Sequence, residues 1–93
     1  MIDQTETDIR RGKDAEALLA HPLLVEAFEL IEQELTQEWR NSPARDEEAR
    51  EKLWLTLKCL HKVRGQLQHV VETGQFARMT LAQRVGERLS QYF

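Results

Sequence analysis

The chain has 93 residues, 41% of them hydrophobic and 31% charged, with a formal net charge of −3 and a pI near 5.6. Chains of that length bury only about 60–65% of the surface they expose when unfolded, which limits this one to a single small domain. The single cysteine, Cys59, excludes an intramolecular disulfide and any multi-cysteine zinc site. No apolar run approaches the roughly 20 residues a bilayer span needs, and the amino terminus lacks a signal-peptide layout, so a soluble, cytoplasmic protein without membrane contact is expected.

Charge is unevenly placed. Residues 1–51 hold 14 acidic and 6 basic side chains, net −8, whereas residues 52–93 hold 2 acidic and 7 basic, net +5. Either the halves fold against each other or the basic half meets an acidic partner such as nucleic acid. The first reading is preferred, because segregated opposite charge steers two helices of one hairpin together with no third party.

Residues 1–12 carry Asp3, Glu6, Asp8, Arg10 and Arg11 with little periodicity and are expected to be a frayed amino-terminal segment. Residues 13–74 are expected to form a helical hairpin. Pro22 and Pro43 each stand where a first helical residue would, with His21 and Ser42 pushed into the extended conformation of an N-cap. From Pro22 to Arg40 the apolar residues Leu24, Phe28, Ile31, Leu35 and Trp39 recur at helical spacing. This predicts a helix over about 22–40, closed by Asn41 in the left-handed conformation. Ser42 then caps a second helix, over about 43–73, with Asp46, Glu47 and Glu48 near its positive end. Leu53, Leu57, Leu60, Leu67 and Val71 form its seam, and Gly74 supplies its stop. A turn at 41–42 enforces an antiparallel pair in which Ile31 meets Leu53 and Phe28 meets Leu57.

In that register the far third of the second helix has no partner from the first. Its apolar arc, widened by Trp54, Cys59, Val63 and Val70, exceeds what one helix can cover. The cover must be the amino-terminal segment with Ala17, Leu18 and Leu19, the carboxy-terminal segment, or a second copy. Residues 75–93 are expected to be a short helix or tail, with Thr80 and Gln83 as a capping box ahead of Leu81, Val85 and Leu89. The predicted fold class is therefore all-α: an antiparallel helical hairpin with one or two short flanking helices, assembled into an oligomeric helical bundle. No internal repeat or low-complexity run is present.

Catalytic and cofactor chemistry is not legible. His61 and His69 are eight residues apart and cannot chelate one ion, and no His-x3-His or Glu-x2-His spacing occurs. His69 and Glu72 lie one turn apart on a polar flank, more in keeping with solvated side chains than with a base and its orienting acid. Cys59 is read as a buried or half-buried thiol. The four glycines match no phosphate-cradling loop. No catalytic, cofactor-binding or metal residue and no small-molecule substrate is assigned. Arg64 interrupts the leucine seam; it either snorkels to water or pairs with Glu16 or Glu26. The segment LAQRVGERLSQYF looks superficially like one helix of a helix-turn-helix, but no reading helix follows it, and Lys52, Lys58, Lys62 and Arg64 spread over several faces.

At WRNSPARDEEAREKLW, followed by LKCLHKVRGQL and VVETGQFA, the chain resembles a group of short helical proteins encoded by tailed bacteriophages, found among head-assembly and packaging genes and left without an assigned activity. The resemblance covers residues 15–77; the residues after Ala77 depart from it. It implies a phage setting, in the bacterial host cytoplasm or the virion, and no catalytic residue. The resulting expectation is a non-enzymatic protein–protein interaction or assembly module in particle assembly or DNA packaging. It would bind itself or another phage or host protein through Trp54, Leu55, Cys59, Val63, Arg64, Leu67 and Val70, with Trp39 internal to the hairpin. The alternatives are a nucleic-acid-binding accessory or regulatory factor and a phage inhibitor of a host enzyme.

Overall fold

A computed structural model of the chain describes residues 4–91. Among these, the secondary structure is all helical: α1 (Gln4–Ala20), α2 (Pro22–Asn41) and α3 (Glu47–Ser90), with no strand. The helices form two compact units. One comprises Leu19–Gln66, the other Met1–Leu18 with Leu67–Phe93, so α3 contributes residues 47–66 to the first and 67–90 to the second.

In the unit of residues 19–66, α2 starts as its proline predicts. His21 is extended at φ −66° and ψ 124°, Pro22 opens the helix, and the Leu23 N–H donates to His21 Nδ1 at 3.2 Å. The same proline ends α1 at Ala20, because the residue before a proline is driven out of the helical region. The other end of α2 departs from expectation. Asn41 stays helical, and the stop is Ser42, extended at φ −74° and ψ 140°, whose N–H and Oγ both donate to Trp39 O, at 3.3 and 2.7 Å. No described residue has a positive φ.

Ser42 therefore closes α2 rather than opening α3. Residues 43–46 form a turn, with the Asp46 N–H donating to Pro43 O at 3.0 Å, and Asp46 is the cap that α3 uses: its Oδ1 accepts from the Ala49 N–H at 3.2 Å. Asp46 directly precedes α3 and reaches its free N–H groups while the Ser42 hydroxyl is engaged with Trp39 O, and Glu47 and Glu48 add charge favourable at that end. The helices are joined by residues 42–46, not by a turn at 41–42.

Three contacts define how α2 meets α3 in this unit. Arg50 lies 4.1 Å over the Trp39 ring, His61 Nε2 is 3.5 Å from Glu32 Oε1, and the Arg64 guanidinium is 4.8 Å from the Phe28 ring centroid. Partners rise along α3 as they fall along α2, so the two stretches run antiparallel. The register differs from expectation: Phe28 stands at the level of Arg64, seven residues beyond Leu57. The longer link permits that displacement, and seven residues is close to two helical turns, so the leucine seam still faces α2.

In the second unit, α1 crosses α3 where two glycines meet. A methyl carbon placed on Gly12 would stand 2.8 Å from Gly74 Cα, and one on Gly74 would stand 2.8 Å from Gly12 Cα and 2.9 Å from Asp8 O. Gly74 is thus not a helix stop. It lies inside α3 in helical conformation, and its missing Cβ lets two backbones approach. The expectation of a frayed segment over 1–12 is corrected for residues 4–12, which belong to α1; residues 1–3 lie outside the described residues. The buried residues of α1 are Gly12 and Ala15, with Asp8 O at the crossing, and residues so small are not registered by apolar periodicity. The separate helix or tail over 75–93 is corrected likewise: α3 continues to Ser90, Thr80 Oγ1 donates to Phe76 O at 3.0 Å as a mid-helix hydroxyl, and residues 92–93 lie outside the described residues. Gly86 has nothing within 4 Å of an added methyl and no positive φ, so helix continuation costs only its propensity.

Candidate protein-interaction surface

Little of the apolar surface is buried. In the unit of residues 19–66 the buried apolar residue is Phe28, at 8% exposure; in the other unit they are Ala15, Val71 and Ala77, beside the glycine pair. Two of the three in the second unit are alanines, so close backbone approach contributes more there than side-chain volume.

The hairpin tip is held by polar contacts. Arg50 Nη1 donates to Trp39 O, Ser42 O and Ser42 Oγ at 3.2, 3.3 and 3.1 Å while the guanidinium stacks on Trp39. One planar cation thereby satisfies carbonyls at the negative end of α2 and covers an indole face. Sequence reading passed over Arg50 as one charge in an acidic run; its place four residues after the Asp46 cap was the available signal. Arg50→Ala is expected to cost about 1–3 kcal/mol from the lost charged hydrogen bonds and stacking, with Arg50→Lys recovering less than half. Urea unfolding monitored by circular dichroism measures both.

Of the side chains proposed as an interface, Trp54, Leu55, Cys59, Val63 and Arg64 are exposed, whereas Leu67 and Val70 are half-buried. Val70 O lies 3.3 Å from a methyl placed on Gly12, which puts that residue at the α1 crossing. The expectation of a buried or half-buried Cys59 is corrected: the thiol is exposed, because the α2-facing seam is Leu53, Leu57 and Leu60 and Cys59 falls outside it. Arg64 meets no acid at ion-pair distance among the described residues; the Phe28 ring takes the place assigned to Glu16 or Glu26. Trp39 is exposed rather than internal, with Arg50 on one face.

Leu35, Thr36 and Trp39 of α2 and Leu53, Trp54 and Leu57 of α3 line an open, mainly apolar groove of about 260 Å³. Trp54 forms one wall, 54% exposed, with Lys58 Nζ 5.3 Å from its ring. Further exposed apolar side chains were not assigned from sequence. Leu23 and Leu30 lie seven apart on the face of α2 away from its seam, and Phe76 and Met79, both about 70% exposed, lie on α3 in the other unit. The i, i+7 spacing of the leucines was a readable signal; Phe76 and Met79 were obscured by the assumed stop at Gly74.

No group of three His, Cys, Asp or Glu side chains among the described residues could hold a metal ion, and no helix among them is long and apolar enough to cross a membrane. The histidine–carboxylate juxtaposition of Glu32 with His61 is open to water on both sides, 41% and 45% exposed. What the described surface offers is exposed apolar and aromatic side chains with charged neighbours, such as Trp54 beside Lys58. No protein-family model, curated protein or solved structure matches this chain.

Proposed function

We propose that this chain is a non-enzymatic helical interaction module that functions by covering its apolar helix faces with other protein, in the assembly of phage particles or the packaging of their DNA. The carrying observation is the imbalance of apolar burial: among the described residues fourteen large hydrophobic side chains are exposed, while Phe28 and Val71 are the only large ones buried. Fully burying one such side chain is worth about 1.5–3 kcal/mol, so covering half a dozen would rival the whole stability of a small domain. The phage setting rests on the resemblance around the Ser42-Pro43 turn.

Sedimentation velocity, with and without duplex DNA, combined with binding of a dye specific for exposed apolar surface, tests this reading. An association above the 10.9 kDa chain mass, or a monomer that binds the dye strongly, supports it. A cooperatively folded monomer that binds neither dye nor DNA overturns it, and a DNA complex without protein self-association favours the nucleic-acid alternative. Trp54→Ala is expected to weaken dye binding or association by about tenfold or more, as truncation of an aromatic anchor does, with helicity unchanged in circular dichroism.

A further inference from the structure

The groove between Trp39 and Trp54 belongs to a unit whose two helices carry opposite charge along matched lengths. From Pro22 to Thr36, α2 holds Glu26, Glu29, Glu32 and Glu34 and no lysine or arginine; residues 52–66 of α3 hold Lys52, Lys58, Lys62 and Arg64 and no acid. The Glu32–His61 and Phe28–Arg64 contacts set these stretches side by side. We infer that a second copy of this chain seats on the tryptophan-lined side of this unit, related by a two-fold axis parallel to the helices, so that each α2 lies on the partner's α3 and two hairpins close into a four-helix bundle.

Charge and area argue for this occupant and orientation. An axis along the helices brings the acidic stretch of one α2 onto the basic stretch of the other copy's α3, twice by symmetry, and keeps every neighbouring pair antiparallel. An axis across the helices would instead lay α2 on α2 and α3 on α3, so that acidic helix meets acidic and basic meets basic. Centred on the groove, it would also overlap only the tip halves of the hairpins. The favoured axis uses the full 20 residues of α2, about 30 Å. With helices packed 8–10 Å apart, two of them present a face of roughly 600 Å², and a pair buries about 1,200 Å², the lower edge of stable interfaces. Trp54 and Trp39 lie towards the hairpin-tip end of that contact and supply its aromatic anchors, while the charged stretches fill the rest of its length.

This inference rests on the reading of the chain as an interaction module, and the test separates the two. Full-length chain is examined by sedimentation over a wide concentration range. Wild type is expected to reach twice the chain mass. Glu29→Lys/Glu32→Lys and Lys58→Glu/Lys62→Glu should each weaken the dimer by about tenfold or more, and an equimolar mixture should regain it. Repulsion within a chain cannot be relieved by mixing, so recovery reports contact between copies. The quadruple exchange restores attraction within the chain and keeps it foldable. It should self-associate like wild type yet fail to pair with wild type, because α2 would then meet a partner α3 of its own sign. Free mixing of the quadruple variant with wild type, or a wild type monomeric at all concentrations, overturns the inference. In the monomeric case strong dye binding leaves the interaction-module reading standing with a different partner, and absent dye binding removes it as well.

Discussion

Alanine at Gly74 is expected to destabilise the protein, whereas alanine at Gly65 or Gly86 is expected to stabilise it, although all three glycines lie inside one helix. At Gly65 and Gly86 a methyl group meets nothing within 4 Å, so the full propensity gain, about 0.5–1 kcal/mol, is realised. At Gly74 the same gain is opposed by contacts of 2.8 Å to Gly12 Cα and 2.9 Å to Asp8 O, both backbone atoms that cannot rotate aside. α1 must withdraw, and overpacking of that kind costs about 1–3 kcal/mol for a methyl group and more for a larger side chain.

Gly74→Leu should release α1 altogether. A 17-residue helix is marginal in water by itself, so its release should remove about a fifth of the helical signal, 17 of the 81 residues in the three helices. Hydrogen exchange would then show α1 amides unprotected while α2 stays protected. Full protection of α1 in Gly74→Leu would mean that the glycine approach does not hold it.

Truncating Phe28 to alanine is expected to be the most damaging single change in the unit of residues 19–66, costing about 3–5 kcal/mol. Phe28 is the buried apolar residue of that unit, and its ring also receives the Arg64 guanidinium. Phe28→Leu keeps most of the apolar volume and loses the cation–π contact, so it should cost about 1–2 kcal/mol. Leu30→Ala, on the same helix but exposed, should stay within about 0.5 kcal/mol. Denaturant unfolding at one fixed protein concentration gives the ranking; fixed concentration is needed because any self-association adds to apparent stability. Equal losses at Phe28 and Leu30 would mean that both are covered in solution, a result favouring association through the far face of α2.

The apolar pattern made the inward seams legible. Leu24, Phe28 and Leu35 on α2 and Leu53, Leu57 and Leu60 on α3 needed no structure to identify, because side-chain direction follows the 3.6-residue period, although Ile31, expected in the same seam against Leu53, is exposed. Pro22 was equally readable, since its ring dictates both the end of α1 and the start of α2. The surplus of apolar residues outside the seams was also visible, and it singled out Trp54, Leu55 and Val63, which the structure leaves exposed. Leu23 and Leu30 lie off the seam of α2, and Phe76 and Met79 follow a glycine that reads locally as a helix end, so neither pair falls in a seam that local pattern marks.

Local pattern could not decide which residues share a level. Whether Phe28 meets Leu57 or Arg64 changes the register by seven residues while presenting the same faces, and a period of 3.6 cannot separate alternatives two turns apart. The link of residues 42–46 and the Arg50 clamp on Trp39 make that choice in space. Likewise Gly74 has one meaning in a chain read locally, a place where a helix can end, and another once Gly12 stands against it. The amino acids by themselves determined which sides of these helices are apolar and where proline forbids continuation, because those depend on covalent structure and nearest neighbours. Register, the helicity of residues 4–12 and the passage of α3 through Gly74 were decided by tertiary contact, because each depends on atoms distant in sequence approaching to within van der Waals range.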